Sequence, residues 1–244
     1  MGTAFVERVV KMFVDHYALL FYGVRNTVIL AVFGTLFGLL IALGLVVFRI
    51  GGFRIANRLM ARIQQRLLKI GAAMYVGFFR GTPMMVQAMI LYYGLQSAGV
   101  RIPVLLAGLV VVSLNTAAYL TEILKAGILS LDQGQTEASL SLGLTPGQTY
   151  RRVVFPQALR NMLPAIGNEL VVNIKDTAVL SVIGVSELFF MGRRVGSANY
   201  RFTEAFVLVS ILYLVLVNVA VFILMRLSRH RKPSLPASDS GALV

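Results

Sequence analysis

Long apolar runs alternate with short stretches in which charge collects, and this pattern predicts a bundle of membrane-crossing helices. Residues 26–48 carry no charge between Arg25 and Arg49. That run makes about 34 Å of helix, enough to cross a hydrocarbon core of about 30 Å. Further spans are expected within residues 71–100, interrupted only by Arg80, over 102–121, and over 205–225 between Glu204 and Arg226. A weaker segment, 162–188, holds Glu169, Lys175 and Asp176 and is expected to be the fourth of five spans. Ahead of them, Phe5, Val6, Val9, Val10, Phe13, Val14 and Tyr17 recur at helical spacing opposite Glu7, Arg8, Lys11 and Asp15. Residues 1–22 therefore read as an amphipathic helix on the outer (periplasmic) surface rather than as a signal peptide. Residues 23–228 form the transmembrane domain, and 229–244 a flexible tail.

Composition excludes the soluble alternatives. Of 244 residues, 57% are hydrophobic and 14% charged, against about 25% charged in an ordinary soluble domain. Such a chain can be neither a water-soluble globule nor disordered. The net charge of +13 would suggest nucleic acid on a soluble protein. Here the cations cluster between apolar runs, which is the positive-inside pattern, and no nucleic-acid partner is expected. Residues 49–69 hold Arg49, Arg54, Arg58, Arg62, Arg66 and Lys69 and no acid, so this loop should face the cytoplasm. Arg54, Arg58, Arg62 and Arg66 recur every fourth residue, as on a helix laid against anionic lipid headgroups. The N-terminus is then outside, and residues 125–160 and the tail with Arg226, Arg229, Arg231 and Lys232 are inside. One loop runs against the rule: residues 189–204, placed outside, carry Arg193, Arg194 and Arg201.

The segment 125–160 is too long and too structured for a mere connection. Residues 136–142 can form a short helix starting near Gln135 or Thr136, and Gly143 can close it in a left-handed cap. Thr145, Pro146 and Gly147 make a turn, and a basic helix through Arg151 and Arg152 should run to Pro156.

Glu137-Ala138-Ser139, then Gly143 and, after nine more residues, Val153-Val154-Phe155-Pro156 resemble the EAA signature, EAA-x3-G-x9-I-x-L-P, of bacterial ABC-importer permease subunits. Ser139, Val153 and Phe155 depart from it conservatively. The stretches FFRGTPMMVQ (78–87), NTAAYLTEILKAGI (115–128) and IKDTAVLSVIGVSEL (174–188) are similar to the polar amino acid subgroup, whose members carry histidine, glutamine, glutamate or arginine. The resemblance implies an all-α, type I importer permease fold of about five spans in the bacterial cytoplasmic membrane. It also implies that residues 132–157 dock in a groove of a separate ATPase subunit, with Glu137, Ala138, Ser139 and Gly143 at the contact and Pro156 ending the loop. Two ATPase subunits would bind ATP and Mg, leaving this chain without a cofactor. A second permease, identical or homologous, and a periplasmic or lipid-anchored amino-acid-binding protein would complete the assembly.

The chemistry in the chain agrees with a non-catalytic subunit. No GxxxxGK[ST], HExxH, CxxC or GxSxG motif occurs, there is no cysteine, and His16 and His230 lie near opposite ends. Charges within a membrane normally face a cavity or a partner. Asn115, Tyr119 and Glu122 share one helical face, and Glu169, Asn173 and Asp176 repeat that spacing beside Lys175. The two faces would make walls for the ammonium and carboxylate of a zwitterion. Glu122 reads equally as an interfacial residue, and Lys175 as a snorkelling or structural one. Arg80 precedes Gly81-Thr82-Pro83, where proline breaks the helix and frees backbone groups toward a cavity; it reads equally as an anchor at the inner surface. Pro164 could begin a helix. Gly34 and Gly38 let two helices approach. The competing reading is a stand-alone, ion-coupled secondary transporter using Glu169, Lys175 and Asp176, against which the absence of an inverted repeat counts.

Overall fold

A computed structural model describes residues 2–50 and 58–229, and every element among them is helical. The first helix, α1, runs unbroken over Gly2–Ile50 for 49 residues, about 73 Å at the usual helical rise. The expected division between residues 22 and 23 is therefore not a break in the backbone. No proline interrupts this stretch, and Gly23 is held in the helix by packing: a Cβ there would lie 2.9 Å from Leu188 Cα. The apolar residues of the first turns separate onto two faces. Phe5, Val9, Met12, Phe13 and Leu20 pack inward, whereas Val6, Val10, Val14 and Tyr17 are exposed.

The next elements are α2 (Arg58–Gly81), α3 (Met84–Ser97) and α4 (Val104–Leu129). The break at Pro83 falls where its missing N–H predicts, with Pro83 itself capping α3. α4 and the second half of α1 are parallel neighbours: Leu30 packs on Gly108, Gly34 on Val112 and Gly38 on Thr116, all at one offset. Ala42 and Val46 continue the seam against Leu120 and Leu124. Gly34 and Gly38 thus serve an internal helix contact; a Cβ on Gly38 would lie 3.0 Å from Thr116 Cβ. α3 returns opposite to α4, joined to it by the short connection 98–103.

Beyond α4 come α5 (Gln133–Ser141), α6 (Pro146–Thr149), a π turn (Tyr150–Val154) and α7 (Phe155–Asp176). Pro164 lies inside α7 and begins nothing. α7 runs opposite to α4, since Gly127 meets Met162 and Thr116 meets Asn173. The expected fourth span does not continue as one helix to residue 188. α7 stops at Asp176, a 3₁₀ turn covers Thr177–Ile183, and Gly184 closes that turn in the left-handed region at φ 89°. Thr177, Val179, Val182 and Ile183 are β-branched, which weakens the α-helix there and leaves the tighter turn.

The chain then forms α8 (Leu188–Asn199) and α9 (Phe202–Arg229). α8 lies antiparallel to both neighbours: Leu188 is beside Gly23 and Asn199 beside His16 on α1, while Gly192 and Gly196 face Val209 and Ala205 on α9. α9 consequently shares the sense of α1. Among the described residues, three helices are long and apolar enough to cross a membrane: Thr3–Val46, Val104–Leu129 and Phe202–Leu227. Arg54, Arg231, Lys232 and the tail beyond residue 229 lie outside the described residues.

Candidate functional site

The segment 132–157 stands out from the bundle as a capped, exposed unit. Asp132 is the N-cap of α5, its Oδ1 accepting from Gly134 N at 2.9 Å. The helix thus starts earlier than the Gln135 or Thr136 expected, because a carboxylate satisfies the first free N–H groups better than either. At the other end Gly143 takes φ +84°, Gly143 N donates to Leu140 O at 2.9 Å, and Leu144 N to Ser139 O at 3.2 Å. These two bonds are a Schellman closure and match the expected glycine stop. Glu137, Ala138 and Gly143 are exposed, and so is Leu142, at 84%. Ser139 differs: it is buried, and its hydroxyl donates to Gln135 O at 2.6 Å. It braces α5 from beneath rather than presenting itself outward.

A capping box starts α6, with Gln148 N donating to Thr145 Oγ1 at 3.3 Å and Thr145 N to Gln148 Oε1 at 2.9 Å. The backbone stays helical from there into α7. Pro156 therefore does not terminate a helix; it sits in the first turn of α7, just after the π turn. Phe155 N reaches back to Tyr150 O. Proline cannot donate to the carbonyl a turn below and its ring crowds that carbonyl, and the wider π turn is a backbone solution to both.

The intramembrane polar residues divide by role. Arg80 lies with its guanidinium 5.4 Å from the Tyr119 ring centre, which brings together two candidates that the sequence reading placed separately. Asn115 is engaged elsewhere. Its Nδ2 donates to Gln87 Oε1 at 3.0 Å and to Phe79 O at 3.2 Å. Gln87, buried, donates through Nε2 to Phe79 O, Thr82 O and Thr82 Oγ1, each at 2.9 Å. These two amides satisfy the carbonyls that Pro83 leaves open and so hold the α2–α3 elbow.

Asn173 is also a joint: its Nδ2 donates to Thr35 Oγ1 at 2.8 Å and to Thr116 Oγ1 at 3.0 Å. It ties α7 to α1 and α4. Glu122 meets Lys125 at 3.6 Å, one helical turn away. Glu169 is half-buried, and Lys175 and Asp176 are exposed at the end of α7. Of the two expected walls, one asparagine from each is committed to packing, and the remaining side chains stay accessible.

Sequence reasoning passed over Glu187, the one acidic residue that is fully buried among those described. Its carboxylate caps α8, accepting from Phe189 N at 2.8 Å and Phe190 N at 2.6 Å, and Tyr213 Oη donates to it at 2.8 Å. Beside it, Leu188 N donates to Thr27 Oγ1 at 3.1 Å and Asn26 Nδ2 to Ser186 O at 2.8 Å. The signal for it in the sequence is weak, since Ser, Thr, Asp and Asn rather than Glu are the usual N-cap residues.

Comparison with known proteins bears on the whole chain. The family model described as "Binding-protein-dependent transport system inner membrane component" matches residues 55–232. The glutamine transport system permease protein GlnP of Escherichia coli (strain K12) is 38% identical over 216 residues, covering 88% of this chain and 93% of that protein. The arginine transport system permease protein ArtQ of Bacillus subtilis (strain 168) is 40% identical over 153 residues, 62% of this chain and 70% of that protein. A crystal structure of an amino acid ABC transporter with histidines superposes with a TM-score of 0.80 at 32% identity, covering 90% of this chain and 97% of that one. The MetNI methionine ABC transporter, at 23% identity and a TM-score of 0.73, covers 90% of this chain and 99% of that one and shares the fold.

Proposed function

The chain belongs to the binding-protein-dependent transport system inner membrane components, and on that premise we propose that it is the permease subunit of an ABC importer for a polar amino acid. Relatives named for glutamine and arginine transport support that substrate class. Transport systems of this kind work with an ATPase and a solute-binding protein. Two permeases, identical or homologous, pair beside two ATPase subunits, which hold ATP and Mg.

The alternating helix senses support five crossings: α1, the α2–α3 elbow, α4, α7 with its 3₁₀ extension, and α9. The basic character of residues 49–69 supports a coupling segment on the inside and an α8–α9 turn on the outside. The accessible side chains Arg80, Tyr119, Glu122, Glu169, Lys175 and Asp176 line the path for the solute's charged groups.

The observation that carries this reading is the continuity of 132–157 with the bundle. α5 is exposed and capped at both ends, the chain is helical from Pro146 to Asp176, and α7 is tied through Asn173 to Thr35 and Thr116. A displacement imposed on α5 when the ATPase closes over nucleotide therefore enters three helices together. Small and exposed, Ala138 permits close approach to a groove, and Glu137 supplies a carboxylate for a basic partner group.

The test is uptake of radiolabelled glutamine, arginine and histidine by proteoliposomes containing permease and ATPase, with the cognate binding protein supplied outside. Glu137→Lys should abolish ATP-driven uptake and loosen the ATPase, with normal amounts of permease in the membrane. Uptake that survives ATP removal and follows an ion gradient would refute the importer reading.

A further inference from the structure

The three arginines that defy the charge bias sit on one built surface, at the end of the molecule away from the coupling segment. α8 buries Leu188, Met191, Gly192, Val195 and Gly196 and turns Arg193 and Arg194 outward. Arg201 is exposed in the turn before α9. Arg193 lies 5.3 Å from the Phe190 ring centre, and Arg194 forms no ion pair among the described residues. Between them and Arg201 stands Tyr200, a non-glycine residue at φ 53° with 91% of its surface exposed.

Left-handed backbone at a bulky residue persists only where its surroundings impose it. The turn is indeed fastened on every side. Arg201 N donates to Gly196 O at 3.0 Å, and Asn199 Nδ2 donates to Val195 O at 2.9 Å. Asn199 also lies 2.9 Å from His16 Nε2 on α1. Arg8 Nε donates to Glu204 Oε1 at 2.9 Å, so this carboxylate, which Arg201 also attracts, is tied to a cation of α1. Gly192 and Gly196 admit Val209 and Ala205 against the α8 backbone. The result is a rigid turn that holds an aromatic ring and three guanidinium groups in water.

We infer that the α8–α9 turn, through Arg193, Arg194, Tyr200 and Arg201, is the docking surface for an acidic face of the solute-carrying binding protein. The inference rests on the importer reading and its outward assignment of this end. Dependence on a binding protein is in the family's description, and the exposed cations, which outnumber the nearby carboxylates Glu187 and Glu204, specify the sign of the partner's surface. Arginine and tyrosine are the residue types that anchor interfaces. A turn already fixed loses little conformational freedom on binding. Exposed like-signed charges also accelerate encounter with an opposite surface, an effect that salt suppresses.

The complex of permease and ATPase, reconstituted in liposomes, is titrated with its cognate binding protein, and the concentration giving half-maximal ATPase stimulation is read. Arg194→Glu with Arg201→Glu should raise that concentration about tenfold or more, and flatten its dependence on ionic strength. Tyr200→Gly, which relieves the backbone strain and removes the ring, should raise it by a smaller factor. ATPase activity without binding protein is the assembly control; if the double reversal fails to assemble, Arg194→Gln alone is titrated. A half-maximal concentration unchanged within a factor of about two overturns the inference while the importer reading stands. A shift that follows the anionic-lipid content of the liposomes, with the binding-protein response intact, overturns it in favour of a lipid contact. A wild-type complex without ATP-driven uptake brings down the importer reading and the docking surface together.

Discussion

Replacing Gly143 tests the coupling segment with unusual freedom from side effects. The residue closes α5 at φ +84°, and a Cβ built on it meets no atom within 4 Å. A new side chain therefore has space; only the backbone conformation resists it. For an L-residue with a Cβ the left-handed region costs about 1–2 kcal/mol. α5 has nine residues, too few to be stable without its caps and its packing. Relief by unwinding the last turn would remove the bonds from Gly143 N to Leu140 O and from Leu144 N to Ser139 O. Docking must then rebuild that turn, weakening ATPase binding by up to about 5–30-fold. The damage should rise in the order Asn, Ala, Val, because Asn tolerates the left-handed region and a β-branched residue does so least. The assay is ATPase retention on immobilised permease together with ATP-driven uptake, normalised to permease in the membrane. Wild-type retention and uptake by Gly143→Val would refute the reasoning. Asn as harmful as Val would show that volume, not backbone conformation, is decisive.

Two further outcomes separate joints from the pathway. Asn173→Ala should lower stability by about 1 kcal/mol, as measured by thermal unfolding in detergent, with little change in solute affinity. Asp176→Asn should alter the KM for solute at unchanged thermal midpoint and ATPase retention; the reverse pattern for the pair would exchange their roles. Glu187→Ala removes the α8 cap and leaves the Tyr213 hydroxyl without its carboxylate, a loss of about 2–4 kcal/mol. Tyr213→Phe should be milder in the same unfolding assay, and equal losses would show that the cap itself contributes nothing.

Local chemistry was the legible part of the sequence. Pro83 breaks its helix because proline has no N–H, Gly143 ends α5 because glycine enters the left-handed region freely, and Gly34 and Gly38 mark a close helix contact. The EAA-like spacing marked out the exposed, capped segment 132–157 for the same reason: its caps lie within twenty residues of one chain stretch. What escaped depends on partners distant in sequence. Asn173 looks like a pathway residue until Thr35 and Thr116 arrive beside it. Gln87 looks incidental until the carbonyls released by Pro83 need donors. The continuity of α1 across residue 22 follows from the 187–188 backbone pressing on Gly23, which no periodicity reports. Likewise the apolar residues 177–183 read as span, although their β-branched side chains favour a tighter turn.

The π turn at Tyr150–Val154 sets an angular phase. Each helical residue advances the backbone by about 100° around the axis, so one surplus residue in a turn decides which way everything upstream of it points. Glu137 and Gly143 are oriented relative to α7 by that single step. The length of chain between the signature glycine and Pro156 thus works as a gear setting: one residue more or fewer would leave α5 intact and turn its exposed face away from the side on which the proposed ATPase would meet it.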